Sequence, residues 1–265
     1  MGELLALVRR APGPLQTLSG AVTTWMHHDR IDAVRERLAD LYGFDVASLR
    51  GPGLIEESPE VHATAYVVVA LPDRWRIVER GHVEVRDRAR SWSGTTTLVT
   101  EAWGEPSPLG EAGVIGICLY PGRLVAGLDF DTAEPGELQG RDCWVVDAKP
   151  RSPGEAPPGT VLAFSGGRRL NEFVGVEHRF WFDAATGIVL RHEGAIDGVP
   201  CSTIELTDIR VDRTIGSAEF EAPPGAVVRA PHELLRDHLA GLGVDPDAVD
   251  LDDPAQVRRA LRGAL

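Results

Sequence analysis

The chain has 265 residues, 43% of them hydrophobic and 25% charged, with a formal net charge of −13. A chain this long buries a sizeable core without metal or disulfide staples, and its mean hydropathy of −0.10, with no apolar run near the roughly 18–20 residues of a span, excludes a transmembrane helix. An acidic balance argues against a nucleic-acid partner, and Lys149, the only lysine, leaves no Walker-type phosphate loop and no second amine for Schiff-base chemistry.

Residues 2–10 read as a short helix stopped by Ala11-Pro12-Gly13-Pro14. Leu15 to His28 reads as a strand, with Leu18, Val22, Thr24 and Met26 on one face and Thr23, Trp25 and His27 on the other. Asp29 is placed as the N-cap of an amphipathic helix in which Ile31, Val34, Leu38 and Leu41 recur at helical spacing until Gly43. Residues 44–60 are loop-like. From Val61 the chain is strand-like again, and Ala63 to Leu71 is apolar on both parities, the pattern of a strand covered on both faces. Strands around Trp75–Glu79, His82–Arg86 and Thr97–Trp103 complete a meander, with Ser91-Trp92-Ser93-Gly94 read as a turn. Pro106–Gly113 reads as loop, Val114–Leu128 as a short helix interrupted at Pro121-Gly122, and Pro150–Gly159 as a further loop.

Strict alternation returns at Gly175. Val176, His178, Phe180 and Phe182 share one face and Glu177, Arg179, Trp181 and Asp183 the other; Ala184-Ala185-Thr186-Gly187 turns the chain, and Asp197-Gly198 turns it again. Beyond the second turn, Ile204 and Leu206 have one parity and Ile209 and Val211 the other, which predicts a β-bulge at Asp208. Helices are predicted from Pro231 and from Pro254, the latter placing Val257 and Leu261 on one face.

Three sets of residues carry a family resemblance: Leu71-Pro72-Asp73-Arg74-Trp75-Arg76, then Gly140-Arg141-Asp142-Cys143-Trp144-Val145-Val146-Asp147-Ala148, and the meander from Phe180 through Ala226 with Thr207–Asp212 and Pro223-Pro224-Gly225. Over roughly residues 60–226 the pattern resembles the LolA-like proteins, which include lipoprotein carriers, lipid-binding lipoproteins and regulators of envelope-stress sigma factors. The resemblance implies a mostly β (α+β) fold: a strongly curved antiparallel sheet forming an open half-barrel with clasping helices, over residues 1–230, followed by a C-terminal helical appendage at 231–265. It also implies a non-enzymatic carrier for a hydrophobic or lipid-like ligand, without cofactor. The expected cavity-lining residues are Trp25, Tyr66, Trp75, Trp92, Trp144, Phe180 and Phe182. A protein-docking module like the sigma-factor regulators, and an enzyme using His27, His28 or His178 in the same cavity, are the alternatives.

Other clusters read as structural. His27 and His28 are adjacent on a strand and point to opposite faces unless the strand breaks there. Asp245, Asp247, Asp250, Asp252 and Asp253 lack the Gly and Glu of an EF-hand loop and read as helix caps; Asp129, Asp131 and Glu134 read as a charged loop; Ser165 lacks a Gly-x-Ser-x-Gly setting. No catalytic residue and no metal ligand is assigned. Cys118, Cys143 and Cys201 are odd in number and widely spaced, and the start of the chain has no basic, apolar leader pattern, so a reducing, cytoplasmic location is expected.

Overall fold

The computed structural model describes residues 1–13, 15–43, 58–103, 113–122, 127–152, 174–251 and 253–264. The expected loops at 44–57, 106–112 and 153–159, and Ser165, lie outside these. Among the described residues one curved, open sheet holds β1 (Thr17–His27), β2 (Glu60–Ala70), β3 (Arg74–Glu79), β4 (His82–Asp87), β5 (Arg90–Thr95), β6 (Leu98–Trp103), β7 (Leu128–Leu138), β8 (Arg141–Pro150), β9 (Glu177–Asp183), β10 (Val189–Ile196), β11 (Val199–Val211) and β12 (Val227–Arg229). The helices are α1 (Gly2–Arg10), α2 (His28–Tyr42), α3 (Gly113–Leu119), α4 (Pro231–Gly241) and α5 (Pro254–Ala264).

The strand order is β12-β6-β5-β4-β3-β2-β1-β11-β10-β9-β8-β7. Two antiparallel meanders, β2–β6 and β7–β11, are therefore joined side by side through β1, which pairs antiparallel with β2 and with β11. Among the described strands only β12, beside β6, is parallel to its neighbour. The mostly β half-barrel with helices read from the sequence is the architecture found.

Local chemistry explains the joints. The register between β1 and β11 shifts between Ser19 and Ala21, and Asp208 sits at φ 53°, so the predicted bulge is present. Gly20 faces it: a Cβ there would lie 2.7 Å from the Thr207 carbonyl oxygen. The β10–β11 hairpin turns on Asp197 and Gly198, both with positive φ, the two-residue connection whose twist matches its strands. Two expectations are corrected. Residues 90–95 form β5 rather than a turn, because Trp92 pairs opposite Val85 and buries its ring beside it. Asp129, Asp131 and Glu134 lie on β7, an edge strand, rather than in a loop. Pro135, the acidic side chains and a bulge between Phe130 and Ala133 keep that long edge from pairing with another chain.

The apolar residues form two clusters on opposite faces of the sheet. The larger one holds Leu18 and Val22 of β1, Val67 and Val69 of β2, Trp75 of β3, and Phe180, Phe182 and Ile204 of the second meander, packed against α1, α2 and α3. The smaller one holds Val83, Val85, Trp92 and Val99 with Phe220, whose 3₁₀ turn (Ser217–Phe220) lies against β3 and β4. Strand β2 contributes Val67 and Val69 to one cluster and Val68 to the other, which is why it is apolar on both parities. Helix α4 packs beside β6, held to β12 by Arg229, which pairs with Asp237 at 2.8 Å. No helix among the described residues is long and apolar enough to cross a membrane.

Candidate functional site

The helix-covered face of the β7–β11 meander carries a cluster of aromatic rings. Strand pairing aligns Phe130 of β7 with Ala148 of β8, and Trp144 and Val146 of β8 with Phe182 and Phe180 of β9. Phe180 and Phe182 stack at 5.4 Å between ring centroids, and Phe130 meets them at 6.1 and 6.3 Å. The two central rings are fully buried, whereas Phe130, Ala133 and Trp144 are half-buried, so the apolar layer reaches the surface at the β7–β8 edge.

Three helices close this face. α1 buries Leu4 and Val8 at i, i+4 and lies so close to the β9–β10 turn that a Cβ on Gly187 would stand 2.8 Å from the Leu7 carbonyl oxygen. α2 buries Ile31, Val34 and Leu38 along one stripe and ends at left-handed Gly43, as its sequence predicts, whereas Leu41, expected on the same stripe, is exposed in the last turn. α3, Gly113–Leu119, is buried from Val114 through Leu119 on every side. Helix α2 starts at His28, two residues earlier than an Asp29 N-cap implies. His27 occupies the N-cap position without a side-chain capping bond, and Asp29 falls in the first turn, favourably placed toward the positive end of the helix. The strand does break between His27 and His28. Among the described residues no group of three or more His, Cys, Asp or Glu side chains could hold a metal ion.

Of the seven residues expected to share one ligand-facing surface, the register separates three from the others. Trp75, Trp144, Phe180 and Phe182 lie on the helix-covered face. Trp25 and Tyr66 lie on the opposite face: Trp25 pairs with His62 and donates its indole N–H to Glu60 at 3.2 Å, while Tyr66, opposite Ala21, is 65% exposed. Trp92 also lies opposite, in the small cluster with Phe220. The physical reason is parity: Trp25 alternates with Leu18 and Val22, and Tyr66 with Val67 and Val69, so neither joins the face those residues bury.

The layer also contains a polar pair. His178 of β9 and His192 of β10 are buried, and their rings meet Nδ1 to Nε2 at 2.9 Å. They are diagonal neighbours, because His178 is paired in register with Gly194 and His192 with Phe180. Gly194 makes the diagonal possible. It presents no side chain, and a Cβ there would overlap the Val174 carbonyl oxygen, which instead accepts from Ser202 Oγ at 2.7 Å. Burial pushes the His178 pKa down to about 3, opposed in part by a backbone hydrogen bond with Gly175; burial and then the neighbouring His178 push His192 well below the ordinary histidine value. Both imidazoles are neutral at pH 7.

At the end of β9, buried Asp183 accepts from Arg141 at 2.6–2.7 Å through one oxygen, and from the Ala185 and Thr186 amides and the Thr186 hydroxyl through the other. That carboxylate holds the turn beneath α1. On the opposite face, Arg179–Asp147 and Arg191–Glu205 form cross-strand ion pairs, Arg191 also pairs with Glu193 and lies over Trp181. Gln139, from the β7–β8 turn, donates to Glu205 at 2.7 Å and shelters that side. Helix α3 occupies the first part of the short helix read over Val114–Leu128, whereas Phe130 and Gly194 were not singled out from sequence; the adjacent Gly194 and Ala195 within a strand pattern were the available signal of a close backbone approach.

No protein-family model and no curated protein matches the chain. Solved structures to which it is similar include MucB, seen elsewhere as the Pseudomonas aeruginosa MucA/MucB complex, at 11% identity and a TM-score of 0.44, covering 86% of this chain and 64% of that one. This chain thus spans about two thirds of MucB. Others are LprF from Mycobacterium bovis (11% identity, TM-score 0.39, 86% and 99% covered) and a LolA superfamily protein from Nitrosomonas europaea (9%, 0.31, 83% and 96%). At such values the similarity carries no argument, and fold and function have to be argued from the chain's own residues.

Proposed function

We propose that this protein binds a hydrophobic or amphiphilic molecule, without chemical transformation, in the apolar layer between the sheet and helices α1–α3. The observation that carries the reading is how the layer is closed. A wide apolar face, from Val67 and Trp75 through Phe180 and Phe182 to half-buried Phe130 and Trp144, is covered by three separate short helices, in a sheet that stays open at its edges. Helices of 9, 15 and 7 residues owe their stability to the surface beneath them, so an alkyl chain can replace part of that contact at small cost. A chain of about ten methylenes offers on the order of 8 kcal/mol of burial, comparable with the cost of immobilising it. The sequence resemblance to LolA-like proteins implies the same class of ligand.

The test uses a fluorescent fatty-acyl probe and native mass spectrometry of protein from its own host. Saturable binding to the folded protein, displacement by unlabelled lipid and a co-purifying lipid mass are expected. Ala65 has the same parity as Val67 and Val69, so Ala65→Phe projects a ring into the layer. It should weaken binding at least ten-fold at a stability cost of about 1–3 kcal/mol. Binding only on partial unfolding, or unchanged affinity in the variant, ends the carrier reading, and a stoichiometric protein in the native spectrum would move the role to partner docking.

We also assign the protein to the cytoplasm, with residues 231–265 as an appendage to the sheet domain. Cys118, Cys143 and Cys201 are buried and none is in a disulfide, in keeping with a reducing compartment. Three thiols should titrate under denaturing, non-reducing conditions, and recovery of a processed, exported form would remove this assignment.

A further inference from the structure

The apolar layer ends along a seam between β3 and β4, and a buried donor lies on that seam. The register gives two adjacent rows across the helix-covered face: Leu18, Val69, Trp75, Arg86 and Ser91, and beside it Val67, Ile77, Glu84 and Ser93. Both rows are apolar through β3 and polar from β4 onward. Trp75 and Ile77 are thus the last apolar side chains before a surface on which Arg86 and Ser91 are half-buried and Glu84 and Ser93 are exposed.

Trp75 is only 5% exposed, and its indole N–H is buried without an acceptor among the described residues. Trp25 gives the contrast, because its N–H donates to Glu60 at 3.2 Å on the far face. Indole nitrogen donates and does not accept, and a dry donor left unanswered carries the full cost of its desolvation, so each such group calls for an explanation. Its cross-strand neighbours are hydrocarbon on one side, Val69, and a further donor on the other, Arg86, whose Nε donates to the Arg88 carbonyl at 2.7 Å. Ser91, next in the row, directs its hydroxyl to the Ala102 carbonyl at 3.4 Å. A lone donor where an apolar layer gives way to a polar surface suits the acceptor oxygen of a molecule whose hydrocarbon lies in that layer.

Resting on the binding reading, we infer that Trp75 is the head-group contact of the ligand site: the bound molecule is an amphiphile whose alkyl chain lies under the helices and whose carbonyl-type oxygen, from a carboxylate or an ester, accepts from the Trp75 indole N–H. The chain then runs from the seam toward Phe180, and the rest of the head group meets the polar surface that begins at Arg86. A molecule without an acceptor oxygen can fill the layer, yet it leaves the buried donor unanswered. The site therefore discriminates by head group, since a buried donor rejects a ligand that cannot pair with it more strongly than an apolar pocket rejects a change of one methylene.

The experiment titrates full-length protein calorimetrically with three amphiphiles of equal chain length, each below its micelle-forming concentration: dodecanoate, glycerol monododecanoate, and dodecyltrimethylammonium, whose head has no acceptor. The native protein should bind dodecanoate at least about ten-fold more tightly than the ammonium compound, although its formal net charge of −13 draws the cation. Trp75→Phe keeps an aromatic ring and removes the N–H. It should weaken dodecanoate about ten-fold and the ester about three-fold, and leave the ammonium compound within about two-fold. General damage to the layer would instead weaken all three alike, and that result overturns the inference. So do equal affinities for the three in the native protein, an outcome that needs no folded variant. A preference confined to the carboxylate or to the ester supports the contact and identifies which oxygen it takes. If none of the three binds the folded native protein, the binding reading fails and the head-group contact with it; if all bind equally, the head-group contact alone fails.

Discussion

The two meanders solve the burial of a β-sheet in opposite ways. The β7–β11 meander, together with β1, hides one face under three helices and leaves the other to cross-strand ion pairs. The β3–β6 strands do the reverse. Their buried residues Val83, Val85, Trp92 and Val99 lie against Phe220 on the far side, while the face continuous with the helix-covered one carries Glu84, Arg86, Ser91 and Ser93. The changeover occurs at β2 and β3, which supply apolar side chains to both clusters: Val67 and Trp75 to one, Val68 and Val78 to the other. Helices α1–α3 all lie over the first cluster, while α4 packs beside β6, so among the described residues the apolar layer with its polar pair belongs to one half of the sheet. The other half is closed by a single segment and a guanidinium, Arg74, set 4.4 Å over the Phe220 ring.

The largest expected effects test whether the two clusters are separate. Phe180→Ala and Phe220→Ala should each lower unfolding free energy by about 3–5 kcal/mol in denaturant titrations, because each leaves a large cavity in a packed cluster. The double variant should be additive within about 0.5 kcal/mol, as for sites without shared partners. Strong coupling between them would mean that the clusters act as one core through β2 and β3.

Next in size is Asp183→Ala, which leaves Arg141 beside a dry turn and removes the acceptor of three further donors. Loss of about 3 kcal/mol is expected, as for one partner of a buried pair. The exposed pair on the opposite face gives the contrast: Asp147→Ala should cost less than about 1 kcal/mol, although Arg179 holds the Asp147 carboxyl below its usual range. Comparable losses would show that the two faces of this meander are not as different as their burial implies.

The pH dependence follows from the same asymmetry. His178 and His192 have folded-state pKa values below that of a histidine in water, so the unfolded chain binds more protons once the pH falls beneath about 6.5. Stability is therefore complete above that pH and declines as pH drops toward about 3, where His178 itself protonates in the folded state. The slope is up to about 1.4 kcal/mol per pH unit for each histidine. His178→Asn should flatten the fall measured between about pH 6.5 and pH 5, and an unchanged slope would assign it to groups outside the pair.

Much of this arrangement was legible in the sequence. Alternation at Gly175–Asp183, the Asp197-Gly198 turn and the parity change at Asp208 led to strands, hairpin and bulge at the observed positions, because a period of two and a positive-φ turn are local properties of the chain. Double-sided apolarity announced β2 as the shared strand. What local pattern could not supply was which face each strand buries. Trp92 looked like part of a turn because Ser91, Ser93 and Gly94 surround it, and only its pairing with Val85 and Glu101 makes it a strand residue. Aromatic side chains were grouped by type, yet Trp25, Tyr66 and Trp92 have the wrong parity for the helix-covered face. Gly194 gained its meaning from Val174, twenty positions away in the chain and laid across it.

The smallest expected effect bears on that error directly. If the opposite face of β1 and β2 is a solvated surface and not a second ligand site, replacing Tyr66 by Ser should change stability by less than about 0.5 kcal/mol, since 65% of the residue is already in water. Val67, the next residue, is buried in the helix-covered cluster, and Val67→Ala should cost several times more. The two neighbours share a backbone, a strand and almost the same propensity, so their difference isolates which way each side chain points. The acyl probe supplies the second half of the comparison: Tyr66→Ser should leave its affinity within two-fold, whereas Ala65→Phe, one residue away on the other parity, should weaken it at least ten-fold. Equal sensitivity at Ala65 and Tyr66 would place the apolar ligand across the strand edge instead of under the helices, and would return Trp25 and Tyr66 to the site.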